Sequence, residues 1–385
     1  VTVIDLPQRG RPARMPFKVE LFSGDDLLAA DWPSIADGRD LKMRDLKMYV
    51  FQSREFLEVW LDTIGKAARI ESHLVVVKDD AGRPILYLPL AIETKFNVRL
   101  LRFMDCGVVD YNAPILAAGY APSRQEFQTL WAEILSRLPG FDVVDLNKIA
   151  ADVEGARNPL MHLHCTPDSE SGHAMALAGL RDDPAATRRP LARRQRKLAH
   201  SANELSKTGT CSFVVNPAGP ELERMADRLF ALKREKYRRS ATPDFLAMPG
   251  IEQFYRAMLS PGRLGRIGHL AALTVGDTMA AAHLGFIGRG RFHYIMPAYD
   301  TAFGRYSVGH LLLQHLIDRA AAQNFDTFDL GVGDMSYKDS WTTHHLALHV
   351  HERAMTAAGR LYLQMRRVRR FVKASGVRTW FRTAS

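Results

Sequence analysis

"FDVVDL" at 141–146 returns at 325–330 as "FDTFDL". Buried strands are written in a small alphabet, so the echo carries weight only if its flanks repeat with it. Where they do, the repeat sets the architecture before any local detail. Ahead of the first copy, "HLVVVKDDAGRPILYLPLAIE" (73–93) is two β-rich runs around Asp-Ala-Gly, a predicted hairpin. "VRLLRFM" follows as a strand, then the loop "DCGVVDYNAPILAAGY", then the helix-period segment "SRQEFQTLWAEILSRL" (123–138). Ahead of the second copy, "HLAALTVGDTMAAAHLGFI" (269–287) is again two strand-like runs around a Gly-Asp turn. "GRFHYIMPAYD" supplies the next strand, "TAFGRY" a loop, and "SVGHLLLQHLIDRAAAQN" (307–324) the helix.

Hairpin, strand, loop, helix, strand thus occurs twice in one order, and helices predicted at 52–67 and 220–239 precede each hairpin. The fold class is α/β, built as two tandem units. Each is a mixed, mainly antiparallel sheet flanked by helices, with one parallel strand–helix–strand crossover. A loop-rich stretch and the basic helix 184–207 separate the copies, which puts the boundary near Asp182–Pro184. The expected domains are a tail at 1–17, an N-terminal unit at 18–183, a C-terminal unit at 184–353, and a basic helix and tail at 354–385.

The chain has 385 residues, 46% hydrophobic and 24% charged, an ordinary globular composition. Three distant cysteines, Cys106, Cys165 and Cys211, argue against a disulfide framework or a zinc ribbon and suit a reducing compartment. No stretch approaches a membrane span, and "VTVIDLPQRGRPARMPFKVE" lacks the apolar run of a signal peptide, so a cytoplasmic location is expected. The net charge of +10 concentrates in "RRPLARRQRK" (188–197) and "MRRVRRFVKASGVRTWFR" (365–382). Such charge meets anions or simply solvates helix faces. No nucleic-acid module accompanies it, so a nucleic-acid partner is not expected.

The copies differ where a ligand would sit. In "FGRYSVGHLLLQ", Ser307 reads as an N-cap and Gly309 falls in the helix's first turn, where unpaired amides and the positive dipole end can seat phosphate. Arg305 stands ready for a charge-assisted contact. Spacing alone allows Gly309 equally to serve close packing of helix on sheet. The first copy has "AGYAPSRQEF", with Pro122 removing a donor and no glycine in the first turn. Only the C-terminal copy is therefore expected to hold a phosphorylated cofactor.

This plan resembles the GNAT acyltransferases, whose pyrophosphate loop between the fourth strand and the next helix usually reads Gln/Arg-x-x-Gly-x-Gly/Ala. "YSVGHL" (306–311) keeps the central glycine, with Tyr306 and Leu311 at the outer positions. The stretch "YIMPAYDTAFGRYSVGHLLLQHLIDRAAAQNFDTFDLGVGDMSYKDSW" (294–341) resembles the duplicated GNAT-like CelD/BcsL or BioF2-like acetyltransferases, described with bacterial cellulose and exopolysaccharide synthesis. "FQSREFLEVW", "ILYLPL", "DYNAPIL" and "RRQRKL" agree, and the resemblance covers about 45–350. A more distant similarity is to the Fem-type aminoacyltransferases, which carry a Tyr-Lys pair where "SYKDSW" stands.

The resemblance implies transfer of an acyl group, chiefly acetyl, from coenzyme A to an amine or hydroxyl, without a metal. It places the cofactor on Arg305, Tyr306, Ser307, Val308, Gly309 and His310. Met296 and Ala298 would lie beside the pantetheine arm, where parallel strands splay. Catalytic candidates are Asp334 as base, Tyr337 to protonate the thiolate, Lys338 for the oxyanion or an anionic substrate, and His293, with His283, as alternative bases. Tyr299, Asp300, Asp110, Tyr111 and Trp341 are candidates for the acceptor, a small molecule or saccharide. The competing functions are a Fem-like aminoacyl-tRNA-dependent transferase and a non-catalytic partner in polysaccharide assembly.

Other signals are weaker. His345, His349 and His351 in "HLALHVH" share one face of a predicted strand whose other face is apolar, which favours a half-buried strand over a metal site. No G-x-S-x-G elbow occurs. The final helix, 354–373, with Arg366, Arg367, Arg369 and Arg370, suits either a membrane surface or a peripheral helix snorkelling its arginines, and the second reading is preferred.

Overall fold

The computed structural model describes residues 17–35, 45–182, 192–333 and 335–374. The first half opens with β1 (Phe17–Ser23), β2 (Leu46–Lys47) and α1 (Arg54–Trp60). The predicted hairpin is β3 (Glu71–Asp79) and β4 (Pro84–Lys95), turned by Asp79, whose Oδ1 accepts from the amides of Ala81 and Arg83. β5 (Val98–Phe103) follows through Phe96 and Asn97, both at positive φ as a tight two-residue turn requires. Then come β6 (Ile115–Ala117), α2 (Arg124–Arg137) and β7 (Val143–Ala150), the strand of the first echo. Short strands β8 (Asp152–Val153), β9 (Ala156–Arg157) and β10 (Thr166–Pro167) lead to β11 (Gly172–Ala176) and α3 (Ala178–Asp182).

The second half runs α4 (Ala192–Ser206), β12 (Cys211–Val215), α5 (Pro220–Arg239), α6 (Ile251–Met258), β13 (Gly268–Val275), β14 (Thr278–Gly288) and β15 (Arg291–Tyr299). A 3-10 turn over Thr301–Tyr306 precedes α7 (Val308–Ala322), β16 (Thr327–Val332) and α8 (Ser336–Asp339). The described chain closes with β17 (His344–Leu346), β18 (Leu348–Ala354) and α9 (Ala357–Ala374). The predicted order of elements is present in both copies.

Two mixed sheets result. Their main paths are β1-β3-β4-β5-β7-β18-β10, with β6 on β4 and β2 on β6, and β12-β13-β14-β15-β16-β11-β17. In each, one parallel pair, β5 with β7 and β15 with β16, interrupts antiparallel neighbours, as the crossover helices α2 and α7 require. The halves also exchange strands. β11 of the first half pairs antiparallel with β16, and β18 of the second half pairs antiparallel with β7. "HLALHVH" is therefore not one strand: His345 lies in β17 of the second sheet, while His349 and His351 lie in β18 of the first. The alternating pattern hid the break at Ala347, where the chain passes between sheets.

One apolar core is shared by the first sheet, α1, α5, α6 and one face of β13–β15; α3, α4 and α7 pack on a second core at the other face. Rings tie the halves together: Phe56 lies 5.1 Å from Phe254 and 5.3 Å from Phe286, and Phe51 lies 4.8 Å from His293.

The echo has a physical reason. Its last acid is Asp145 in one copy and Asp329 in the other, and both side chains are fully buried. Arg102 and Arg366 hold Asp145; burial alone would raise its pKa, but the two guanidinium groups outweigh burial and lower it. Asp329 is held by Arg291 at 2.8 Å and by the Tyr111 hydroxyl at 2.7 Å.

Candidate active site

β15 and β16 pair only at Arg291–Thr327, Phe292–Phe328 and His293–Asp329. Beyond His293 the two strands have no mutual register, so a fork opens along Tyr294–Tyr299, the stretch holding Met296 and Ala298. Both of those side chains are buried. At the far end of β15, Asp300 caps the 3-10 turn by accepting from the Ala302 amide and pairs with Arg228 of α5 at 2.5 Å.

Ser307 then turns the chain into α7 at φ 54, ψ 35, and its side chain makes no capping bond. Ser307 thus stands at the cap position, as expected, but without a capping serine's side-chain bond. The Val308 and Gly309 amides are among those a helix start leaves without an intrahelical partner, whereas the His310 amide already reaches the Ser307 carbonyl at 2.9 Å. A Cβ built on Gly309 would meet only Tyr299 Cδ1, at 3.6 Å. Packing does not demand glycine here.

The first copy is closed at the same two places. Its helix start is self-satisfied by a capping box, the Ser123 hydroxyl accepting from the Glu126 amide and Glu126 accepting from the Ser123 amide. Its own fork is filled by the loop after β5. The Asn112 amide donates to the Lys148 carbonyl at 2.9 Å, and the Ala150 amide donates to Asn112 at 3.1 Å. What remains is a cavity of about 190 Å³ lined by Glu93, Arg102, Asp105, Cys106, Asn112 and Asp145.

That filling loop delivers Asp110 and Tyr111 to the fork of the second copy. Gly331 lies two residues past the last parallel pair, and a Cβ on it would fall 2.6 Å from Asp110 Oδ2 and 3.7 Å from the Tyr294 carbonyl. Gly331 sits at φ +75, so neither the backbone nor the space admits a side chain. The Asp110 carboxyl therefore stands at the point of the fork. Burial pushes its pKa up to about 7, with Asp329 and Asp105 adding to the rise and Lys148 and Lys338 opposing it. Lys148 is tied to Asp105 at 2.7 Å and donates to the Val109 carbonyl.

Tyr111 is buried, and its hydroxyl reaches Asp329 in the other sheet. Burial, then the charges of Asp329 and Asp110, hold its pKa far above the ordinary range. His293 is 1% exposed, 3.8 Å from Asp329, and burial takes its pKa down to about 4. Both its ring nitrogens lack a partner, so it is packed but not satisfied. His283 Nε2 accepts from the Ile295 amide at 3.2 Å, and burial holds its pKa well below the ordinary value.

Lys338 is buried, donating to the carbonyls of Val332 at 2.8 Å and Gly331 at 3.2 Å. Asp334 lies outside the described residues. Tyr337 is half-buried, with burial raising its pKa to about 12, and its ring is 6.0 Å from that of His310. Arg305 is exposed and folds back on Tyr306, which is buried with Val308. Tyr299 is 45% exposed, and Trp341 is buried.

The structure thus forms two groups: Asp110, Tyr111, His293, Asp329 and Lys338 at the fork, and Tyr299, Arg305–His310, Tyr337 and Trp341 around the start of α7. Sequence reasoning missed Asp329, although it is the last acid of the repeated "FDTFDL". It also passed over Arg194 within "RRQRKL". The Arg194 guanidinium lies 5.0 Å from the Trp341 ring centre with Nη1 buried and unpartnered, and after burial its charge helps lower the pKa of His310. Among the described residues, no group of three or more His, Cys, Asp or Glu side chains is placed to hold a metal.

Residues 186–339 match the family model described as an acetyltransferase (GNAT) domain. No curated protein matches the chain. Among solved structures, one described as FemX aligns with TM-score 0.53 at 11% identity, over 79% of this chain and 92% of that one. A conserved protein of unknown function from Bacteroides thetaiotaomicron aligns with TM-score 0.52 at 10% identity, over 82% and 96%. At such identity these likenesses concern the fold alone.

Proposed function

On the premise of an acyltransferase domain in the second half, we propose that the chain moves an acyl group from an acyl-coenzyme A to an amine or hydroxyl. The observation that carries this is the open fork between β15 and β16 leading to an uncapped helix start, beside a first copy in which both features are closed. The Val308 and Gly309 amides, with Arg305 and Arg194, would hold the diphosphate. The edge of β15 along Tyr294–Tyr299 would line the pantetheine arm.

In this reading Asp110 takes the proton of the acceptor's N–H or O–H as the acceptor's nitrogen or oxygen bonds to the acyl carbon. The carbon–sulfur bond then breaks, and Tyr337, whose raised pKa keeps it protonated, supplies a proton to the departing sulfur. Water returns both residues to their starting states. Lys338 braces the end of β16 instead of meeting the substrate.

The finer assignment is acetyl transfer to a saccharide, in exopolysaccharide synthesis of the CelD/BcsL kind. It is supported by the sequence resemblance over 294–341. Three unpaired cysteines support a reducing, cytoplasmic setting. Acetyl-CoA is expected to raise the melting temperature of the protein, and charged tRNA to leave it unchanged. The opposite result would favour the aminoacyl-tRNA-dependent alternative.

Gly309 tests the diphosphate seat. Gly309→Ala should fold as well as the parent, because its methyl has room. Gly309→Asp puts an anion on the seat and should weaken coenzyme A binding roughly tenfold or more by calorimetric titration. Undiminished binding by Gly309→Asp would reject the seat.

A further inference from the structure

We infer that α9 and the β4–β5 turn form a basic, apolar surface that docks on an anionic lipid bilayer. The inference is independent of the acyl-transfer reading. From Gly359 to Arg366 the inner face of α9 rests on the protein. A Cβ on Gly359 would fall 2.1 Å from the Asp142 carbonyl oxygen, so the helix lies directly on the backbone before β7. Leu363 is buried, Arg366 is bound to Asp145 and Glu352, and Thr356 caps the helix by accepting from the Gly359 amide while donating to Asp142. These contacts fix which face points outward.

The outward face is apolar where solvent exposure would favour polar residues. Leu361, Met365 and Val368 recur at helical spacing and are 57%, 49% and 61% exposed. Phe96, 79% exposed at the tip of the β4–β5 turn, joins them through Arg369, whose guanidinium lies 5.6 Å from the Phe96 ring centre. Arg360, Arg367 and Arg369 are all exposed along the same helix, and no acidic residue occurs between 357 and 374.

An apolar stripe flanked by arginines, with no acid on the helix, is matched by acyl chains beneath anionic headgroups. A second copy of this surface would be repelled by its own charge. No described helix is long and apolar enough to cross a membrane, so the contact would be with the bilayer surface.

The test is flotation of the full chain with phosphatidylcholine vesicles prepared with and without phosphatidylglycerol. Binding is expected only with the anionic lipid, and is expected to fall at high salt. The triple substitution Leu361→Ser, Met365→Ser, Val368→Ser should reduce it roughly tenfold or more, and the pair Arg360→Glu, Arg367→Glu should abolish it. All five side chains are exposed, so unchanged circular dichroism melts are expected to accompany the loss. Failure of the parent protein to float, or equal flotation of the triple variant, would overturn the inference. So would a dimer in solution that dissociates in the triple variant while vesicles remain unbound, since a second copy would then be the occupant.

Discussion

Asp110→Asn is expected to lower turnover with an acyl-coenzyme A by roughly 10²–10⁴, the usual contribution of a positioned base. The protein should still fold, because the amide fits the space of the carboxyl beside Gly331. The reasoning joins geometry to titration. Asp110 lies at the point where β15 and β16 part, and its pKa of about 7 lets it hold a proton or release one near neutrality. In the parent enzyme kcat/KM should therefore rise with pH through about 7.

Stability should run the other way. Below the ordinary carboxyl range, near 4, Asp110 is protonated whether the chain is folded or not. Between about 4 and about 7 the folded protein keeps a proton that the unfolded chain has released. The parent should lose stability relative to Asp110→Asn across that window and then level off. A variant that keeps both its rate and the rising limb of the profile would remove Asp110 from the chemistry. In that case attention would move to Asp334.

Asp329→Ala should cost about 3–5 kcal/mol in a urea unfolding titration, the range for breaking a buried ion pair from one side. The substitution strands the Arg291 guanidinium, the Tyr111 hydroxyl and the Gly331 amide, all of which the carboxylate now satisfies. Tyr111→Phe removes a single bond to the same acid and should cost about 1–2 kcal/mol. A double variant that falls well short of the sum would show the two sites acting as one network. An Asp329→Ala protein as stable as its parent would contradict the account of why the echo exists.

Much of this was legible in the sequence because local chemistry set it. The helix period of "SRQEFQTLWAEILSRL" announced α2, and Asp80 to Gly82 announced a turn. The β-rich runs "HLVVVKD" and "HLAALTV" announced strands. The repeat itself predicted two mixed sheets, each with one parallel step. Four things were not legible. The left-handed turn at Ser307 is carried by a residue type that usually caps helices, so its identity pointed to the wrong geometry. The position of Asp110 at the fork depends on a loop of one half entering the other. The exchange of β11 and β18 leaves no local trace, because each keeps an ordinary strand pattern whichever sheet receives it. Arg194 was hidden by its own neighbours: in a run of basic residues, composition cannot say which one turns inward.

The traded strands carry a consequence for biosynthesis. As the polypeptide leaves the ribosome, β7 must wait for β18 and β11 must wait for β16 before either sheet has its full complement. Nearly the whole chain has to emerge before the first half can set, so the halves mature together and not in sequence. Truncation after the first repeat is thus expected to leave a sticky, unfinished edge instead of a free-standing domain.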